Sequence, residues 1–486
     1  MFSVRNDALG LWLDLRRMKL EEADLAVPDL DRALAEMEAL EAGGLANTDE
    51  RKAVGHYWLR DASLAPDGLG KGIREAVDEV ESVAGEILSE GEVDHLLLVG
   101  IGGSVLGTEF VARALVSGDS RPQLHVLDNT DPDGIRAHLS GVDFNRAVVV
   151  VVSKSGSTME ACNALAEVEA AMAHQGVDLA PRALAISVEG TPLWERAADW
   201  RGRLPMWPWV GGRFSVTSAV GLLPLAILGV DIRASLGGAA LCDAWTRQPT
   251  DNPALLLALA WYKAGAGRGE RDMVVMPYRD QLSLMPRYLQ QVVMESVGKK
   301  YNTTGEVVHQ GLTVYGNKGS TDQHSLVQQL REGPDDFFAA FVTVLEGASG
   351  VALEAGHTTG DSLLSMLLGT RRALGDAHRQ SLTLALGRLD ARTLGAVVAL
   401  FERAVGFYGS MIGINAYHQP GVEAGKRAAD RALEQLAQLR RGERLPEGDD
   451  TEQRRPQRQG IGPEHPRSDI PERRGWQIAD VDHRVG

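Results

Sequence analysis

Four short apolar runs mark the first half of the chain: "HLLLVG" (95–100), "LHVLD" (124–128), "AVVVVV" (147–152) and "ALAIS" (183–187). Stretches of helix length separate them. Strands without a polar face, alternating with helices, predict a parallel sheet covered on both sides, here one doubly wound domain over 50–235. The pattern recurs more loosely downstream. Residues 253–267 read as helix, 272–278 as strand, 284–300 as an amphipathic helix, and 336–347 contain a further strand. Residues 370–389 and 391–414 read as long helices, giving a second α/β domain over 250–435. Residues 20–45 carry apolar positions at helical spacing up to Gly43 and Gly44, so 1–49 is expected to be an N-terminal helical segment. From about 440 to 486 apolar residues nearly vanish and prolines accumulate, which predicts a disordered tail.

Composition narrows the function classes. The 486 residues carry 50 Lys+Arg against 66 Asp+Glu, a net charge of −16. That argues against nucleic acid or an anionic membrane as partner, and requires a local positive site for any anionic ligand. The two cysteines, Cys162 and Cys242, form neither a metal-binding spacing nor a disulfide framework, as expected of a cytoplasmic protein. The first residues lack the apolar stretch of a signal peptide, and no apolar run is expected to reach the ~18 residues of a membrane span.

The third run breaks off into "SKSGSTME" (153–160). Ser153, Ser155, Ser157 and Thr158 supply hydroxyls, Lys154 a charge, and Gly156 the freedom for a tight turn. A new helix begins there with free N–H groups and the positive end of its dipole. One hydroxyl would serve as an ordinary helix cap; four with a lysine predict a phosphate-type anion site. The loop "VGIGGSVLG" (99–107) invites a dinucleotide reading with Asp128 on the ribose, but Val105 stands where the third glycine of G-x-G-x-x-G belongs. It predicts instead a close backbone approach at Gly102 and Gly103.

Four further patches are ambiguous singly. Arg213 follows a glycine pair and would otherwise be a surface arginine at a turn. Glu295 lies one turn after Gln291 and could be a solvated helix glutamate. His324 sits where a loop enters a helix and could be a cap. Gln419 precedes a helix on which Glu423 and Lys426 could form an ion pair.

Taken together, "GIGGSVLG", "SKSGSTME", "GGRFS", "MESVGK", "GSTDQHS" and "QPGVEAGK" resemble the glucose-6-phosphate isomerase family, in its order and spacing over roughly 45–435. "NTDERKAVGHYWLR" (47–60) is similar to the family's N-terminal element. The resemblance implies two SIS-type (sugar-isomerase) three-layer αβα domains with mostly parallel sheets. It also implies interconversion of glucose 6-phosphate and fructose 6-phosphate in glycolysis and gluconeogenesis, without a metal or redox cofactor. Ser153, Lys154, Ser155 and Thr158 would bind the phosphate, and Gly103 and Ser104 would line the sugar site. Glu295 would be the general base, and His324 and Lys426 would open the ring. Arg213 would stand beside the reacting carbons, with Gln419 nearby. In the family the histidine comes from the neighbouring subunit, so a homodimer with shared sites is expected. The sequence departs from the common family form at Val297, where Asn is usual, and at Ala416-Tyr417-His418, where Pro-Phe-Asp is usual. An isomerase that also accepts mannose 6-phosphate, and a sugar-phosphate sensor without turnover, are the alternatives. A sensor would have no use for Glu295, Arg213, His324 and Lys426 together.

Overall fold

The computed structural model describes residues 2–26, 28–118, 120–354 and 356–441. The chain opens with strands, not a helix. β1 (Ser3–Asn6) and β2 (Leu11–Arg17) form an antiparallel hairpin, and the first true α-helix is Pro28–Glu41. The expected N-terminal helical segment is thus corrected over 3–17. Leu11, Leu13 and Leu15 alternate with polar or half-buried neighbours, a period of two that no helix satisfies.

A five-stranded parallel sheet follows from β3 (His95–Val99), β4 (Gln123–Leu127), β5 (Ala147–Val152), β6 (Ala183–Ser187) and β7 (Gly202–Pro205), in the order β4-β3-β5-β6-β7. A second sheet takes β8 (Asp272–Pro277), while β9 (Lys299–Tyr301) and β10 (Val307–Gln310) form a small separate ribbon. β11 (Val314–Tyr315), β12 (Phe337–Val344) and β13 (Gln380–Leu386) complete it in the order β1-β2-β13-β12-β8-β11. β13 falls inside 370–389, which was expected to be one helix. The helix Thr359–Asp376 instead ends near His378, held at φ +57, and "QSLTLAL" pairs in parallel with β12.

Alternate residues of β3 and β5 enter different cores. Leu96, Leu98, Val148 and Val150 belong to one, and Leu97, Val99, Val149 and Val151 to another. The first of these cores also takes Met273, Val275, Phe338, Ala340, Leu382 and Leu384 from the second sheet, so both sheets share it. They accordingly sit in one compact unit, residues 1–419, and the division falls at Pro420 rather than between the sheets. Two helices cross within this unit at glycines. A Cβ on Gly238 would lie 1.8 Å from the Arg392 carbonyl oxygen, and one on Gly395 would lie 1.9 Å from that of Ser235. The helix Ala391–Met411 is, by length and hydropathy, apolar enough to cross a membrane, contrary to expectation; 94% of its apolar window is buried inside the protein, so it is a core helix. Buried charges tie it down: Arg403 pairs with Glu41 at 2.6 Å, and Arg60 bridges Asp243 at 2.8 Å and Glu402. The helix Pro420–Arg440 belongs to a second unit. Most of the tail expected to be disordered, 442–486, lies outside the described residues.

Candidate active site

In both sheets the parallel strands run in the order second, first, third, fourth, so each has a switch point between its first and third strands. In the first sheet that point lies between β3 and β5, and the loops leaving both strands meet there.

The loop after β5 is built as a cradle. Gly156 turns at φ +69, and a Cβ there would meet the Leu193 backbone nitrogen at 2.7 Å, so only glycine fits. Ser153 is fixed from behind, its N–H donating to Ile186 and its carbonyl accepting from Ser187 Oγ at 2.6 Å. Thr158 occupies the N-cap position of helix Met159–His174, yet its hydroxyl caps nothing. It lies 3.0 Å from Ser153 Oγ and 3.4 Å from Ser155 Oγ, so the three hydroxyls converge on one another ahead of the helix. Lys154 donates to the carbonyls of Pro208 and Val210 at 2.8 and 2.7 Å, which ties the cradle to the loop leading to Arg213. Burial pushes its ammonium down to about 8.

The loop after β3 packs on the same arginine turn. A Cβ on Gly103 would lie 2.1 Å from the Gly212 carbonyl carbon, and Ser215 Oγ donates to the Gly103 carbonyl at 3.0 Å. The close approach expected at Gly103 is therefore made by the neighbouring backbone. Ser104 ends this turn, Gly102–Ser104. At Gly102 the nearest atom to a Cβ would be Gln291 Nε2, at 3.1 Å.

Arg213 is 6% exposed and every edge of its guanidinium is engaged. Nε donates to Ser296 Oγ at 2.6 Å, Nη1 to Gln419 Oε1 at 3.1 Å, and Nη2 to the carbonyls of Ala416 and His418 at 2.7 and 3.3 Å. Nη1 also lies 3.5 Å from Glu295 Oε1. Burial lowers its pKa and Glu295 opposes that shift. Glu295 closes a π-helical turn, Gln290–Glu295, whose wider winding brings Gln291 and Glu295 toward the same face. His418, the departure beside Gln419, sits 3.2 Å from the Asn415 carbonyl and 3.5 Å from Asp49 Oδ2; burial lowers its pKa against the pull of Asp49.

The structure thus brings together Gly103, Arg213, Glu295 and Gln419, with the cradle joined to them through Lys154. His324 stands apart on the turn Thr321–His324, exposed, and shares no hydrogen bond or ion pair with Arg213 or Glu295 among the described residues. Lys426 is carried by the helix Pro420–Arg440 of the other unit. Three residues of this neighbourhood went unassigned from sequence. Gln291 faces Gly102, and Ser296 and Lys299 hold the end of the Glu295 helix. A fourth is His56, fully buried and stacked on Phe214 at 4.5 Å between ring centroids. Only the Gln291–Glu295 spacing hinted at any of them.

A doubly wound α/β chain with a hydroxyl cradle, and with a half-buried glutamate beside a buried arginine at its first switch point, has the architecture of an α/β enzyme with a crevice site. The chain belongs to the phosphoglucose isomerase family, whose model matches residues 29–375 and 336–445. It is 51% identical over 458 residues to the glucose-6-phosphate isomerase of Geobacter sulfurreducens, covering 89% of this chain and 86% of the relative. It is 49% identical over 452 residues to that of a Synechococcus species, covering 89% and 85%. Its fold resembles the crystal structure of a glucose-6-phosphate isomerase from Chlamydia trachomatis, with a TM-score of 0.82, 24% identity and 90% of both chains covered.

Proposed function

We propose that this protein is an aldose–ketose isomerase that interconverts glucose 6-phosphate and fructose 6-phosphate. The observation that carries the mechanism is the Arg213–Glu295 pair, 3.5 Å apart and fixed from several sides. Isomerisation moves a proton between C2 and C1 through a cis-enediolate. Glu295 takes the proton from one carbon and returns it to the other on the same face. Arg213 meets the developing oxyanion, because a guanidinium does not surrender its proton in the working range. Ser153, Ser155 and Thr158 hold the phosphate against the start of helix Met159–His174, with Lys154 behind them. Gly103 and Ser104 border the sugar, and Gln419 holds the arginine. The reaction exchanges protons and no electrons leave the sugar, so no cofactor is assigned.

Ring opening falls to Lys426 and to His324 of a second copy. The His324 turn is pinned by Gln323, whose Nε2 donates to the Met366 carbonyl at 2.9 Å and to Thr370 Oγ1. Both lie on helix Thr359–Asp376, which exposes Leu364, Met366 and Leu368. His324 is itself exposed on this turn and so open to a second copy of the chain, which favours a homodimer with shared sites. A cytoplasmic role in glycolysis and gluconeogenesis suits the acidic chain and its free thiols, Cys162 and Cys242.

The test is turnover of fructose 6-phosphate, read as glucose 6-phosphate through a coupled dehydrogenase, with mannose 6-phosphate run alongside. Glu295→Gln is expected to lose roughly 10²–10⁴ in kcat while still binding the sugar phosphate. Binding by the wild type without turnover would make the protein a sensor. Mixed Glu295→Gln and His324→Ala subunits are expected to regain about one intact site per heterodimer; confirmed heterodimers without activity would sink the shared site.

A further inference from the structure

The helix that carries Glu295 ends at an unusual cap. Its last carbonyls need donors, and Lys299, the first residue of β9, folds its side chain back to supply them. Nζ donates to the Glu295 carbonyl at 2.9 Å and to that of Ser296 at 2.6 Å. Lys299 is 5% exposed. Ser296 is therefore gripped by two buried cations, its hydroxyl by Arg213 and its carbonyl by Lys299. Placing two cations out of water beside each other is costly. A glycine turn or an exposed polar residue would cap a helix without that cost, so stability alone does not account for Lys299.

We propose that Lys299 is a positioning residue for the proton transfer, fixing the last helical turn beneath Glu295 so that its carboxylate keeps its aim when Arg213 engages the substrate. The proposal rests on the isomerase reading above. Burial is the main reason the ammonium is lowered to about 7; Arg213 lowers it further, while Glu295 and Asp49 oppose the shift. His418, from the segment before the second unit, also senses Lys299. As pH rises through the Lys299 value the cation is lost, and the grip on Glu295 weakens. An arginine at this position would retain its charge there.

The experiment compares the wild type with Lys299→Met, Lys299→Gln and Lys299→Arg in the coupled assay across pH. Isomerase activity in the wild type establishes the parent reading first; its absence fails that reading, not this one. Lys299→Met is expected to lose about 10- to 100-fold in kcat with KM within about threefold. The alkaline loss of kcat expected of the wild type should vanish in Lys299→Met, because the group whose deprotonation loosens the helix end is gone. Lys299→Arg should regain most of kcat and extend activity to higher pH. If Lys299→Met does not fold, Lys299→Gln gives the same reading of the alkaline limb. An unchanged alkaline limb in a folded, uncharged variant, or a wild-type kcat in it, would overturn the proposal.

Discussion

The loop after the third parallel strand is short in the first sheet, 153–158, and longer in the second, 345–358. Both lead into a helix at a switch point. In the first, Thr158 leaves its helix uncapped and turns its hydroxyl toward Ser153 and Ser155. In the second, Thr358 and Asp361 form a complete capping box: Asp361 N–H donates to Thr358 Oγ1 at 3.1 Å, and Thr358 N–H donates to Asp361 Oδ2 at 2.8 Å. The loop supplies more, since the N–H groups of Thr359 and Gly360 donate to the carbonyls of Val351 and Ser349. A cavity of about 290 Å³ remains there, lined by Arg279, Ser349 and Asp361, but a carboxylate already holds the helix start where an anion would sit. One wiring diagram thus produces an open crevice and a closed one. The difference lies in where a few hydroxyls and N–H groups find their partners.

The comparison can be broken most forcefully with a charge. Ser155→Asp puts a carboxylate into the cradle, and like charges in contact cost several kcal/mol. KM for fructose 6-phosphate should rise at least about 100-fold, whereas Ser349→Asp in the second loop should leave it unchanged. Steady-state kinetics decides, and equal behaviour of the two variants would end the distinction. Thr158→Ala comes next. Losing one hydrogen bond to a charged group costs about 1.5–3 kcal/mol, or roughly 10- to 100-fold in KM, while the melting temperature should hardly move because Thr158 caps nothing. Thr358→Ala should do the reverse, costing about 1 kcal/mol in a denaturant titration with kinetics intact.

The smallest expected effect is in the pH dependence of stability. Lys154 sits at about 8 when folded, against roughly 10.4 for an ordinary lysine. Between those values the unfolded chain holds more protons, so stability should rise with pH across that window. Lys154→Met should flatten this limb in melts followed from pH 8 to 10. Asp361 gives the same sign of dependence in the acid range. Hydrogen bonds from Thr358 lower its pKa, so its contribution is present above the ordinary aspartate range and is lost as pH falls through the folded value. Asp361→Asn should remove that acid-side loss.

β3 to β6, β8 and β12 were legible because each is an apolar run ended by polar or turn residues. β13 was not, because neither glycine nor proline separates it from the preceding helix; the break falls at His378, whose positive φ the residue type does not announce. β1 and β2 were missed although the leucine alternation was present, because β1 is short and the other partner of β2, β13, lies far along the chain. The site divides in the same way. "SKSGST" stands out by its density of hydroxyls beside a strand. The roles of Ser296 and Lys299 arise from contacts made only in three dimensions, one with an arginine far back in the chain and one with backbone carbonyls.

The hairpin Ser3–Arg17 has a consequence for how the molecule is made. β2 lies antiparallel to β13, with Leu11 opposite Leu386 and Leu13 opposite Leu384. β2 thus leaves the ribosome long before β13, the partner strand it needs. At about 5–20 residues per second, the wait is roughly 20 to 80 seconds. During that time an apolar strand edge stays uncovered, so the second sheet cannot close vectorially as the chain emerges. Its completion waits for β13 to emerge, and a nascent chain stalled before β13 would expose the leucine face of β2 to chaperones and to other unfinished chains.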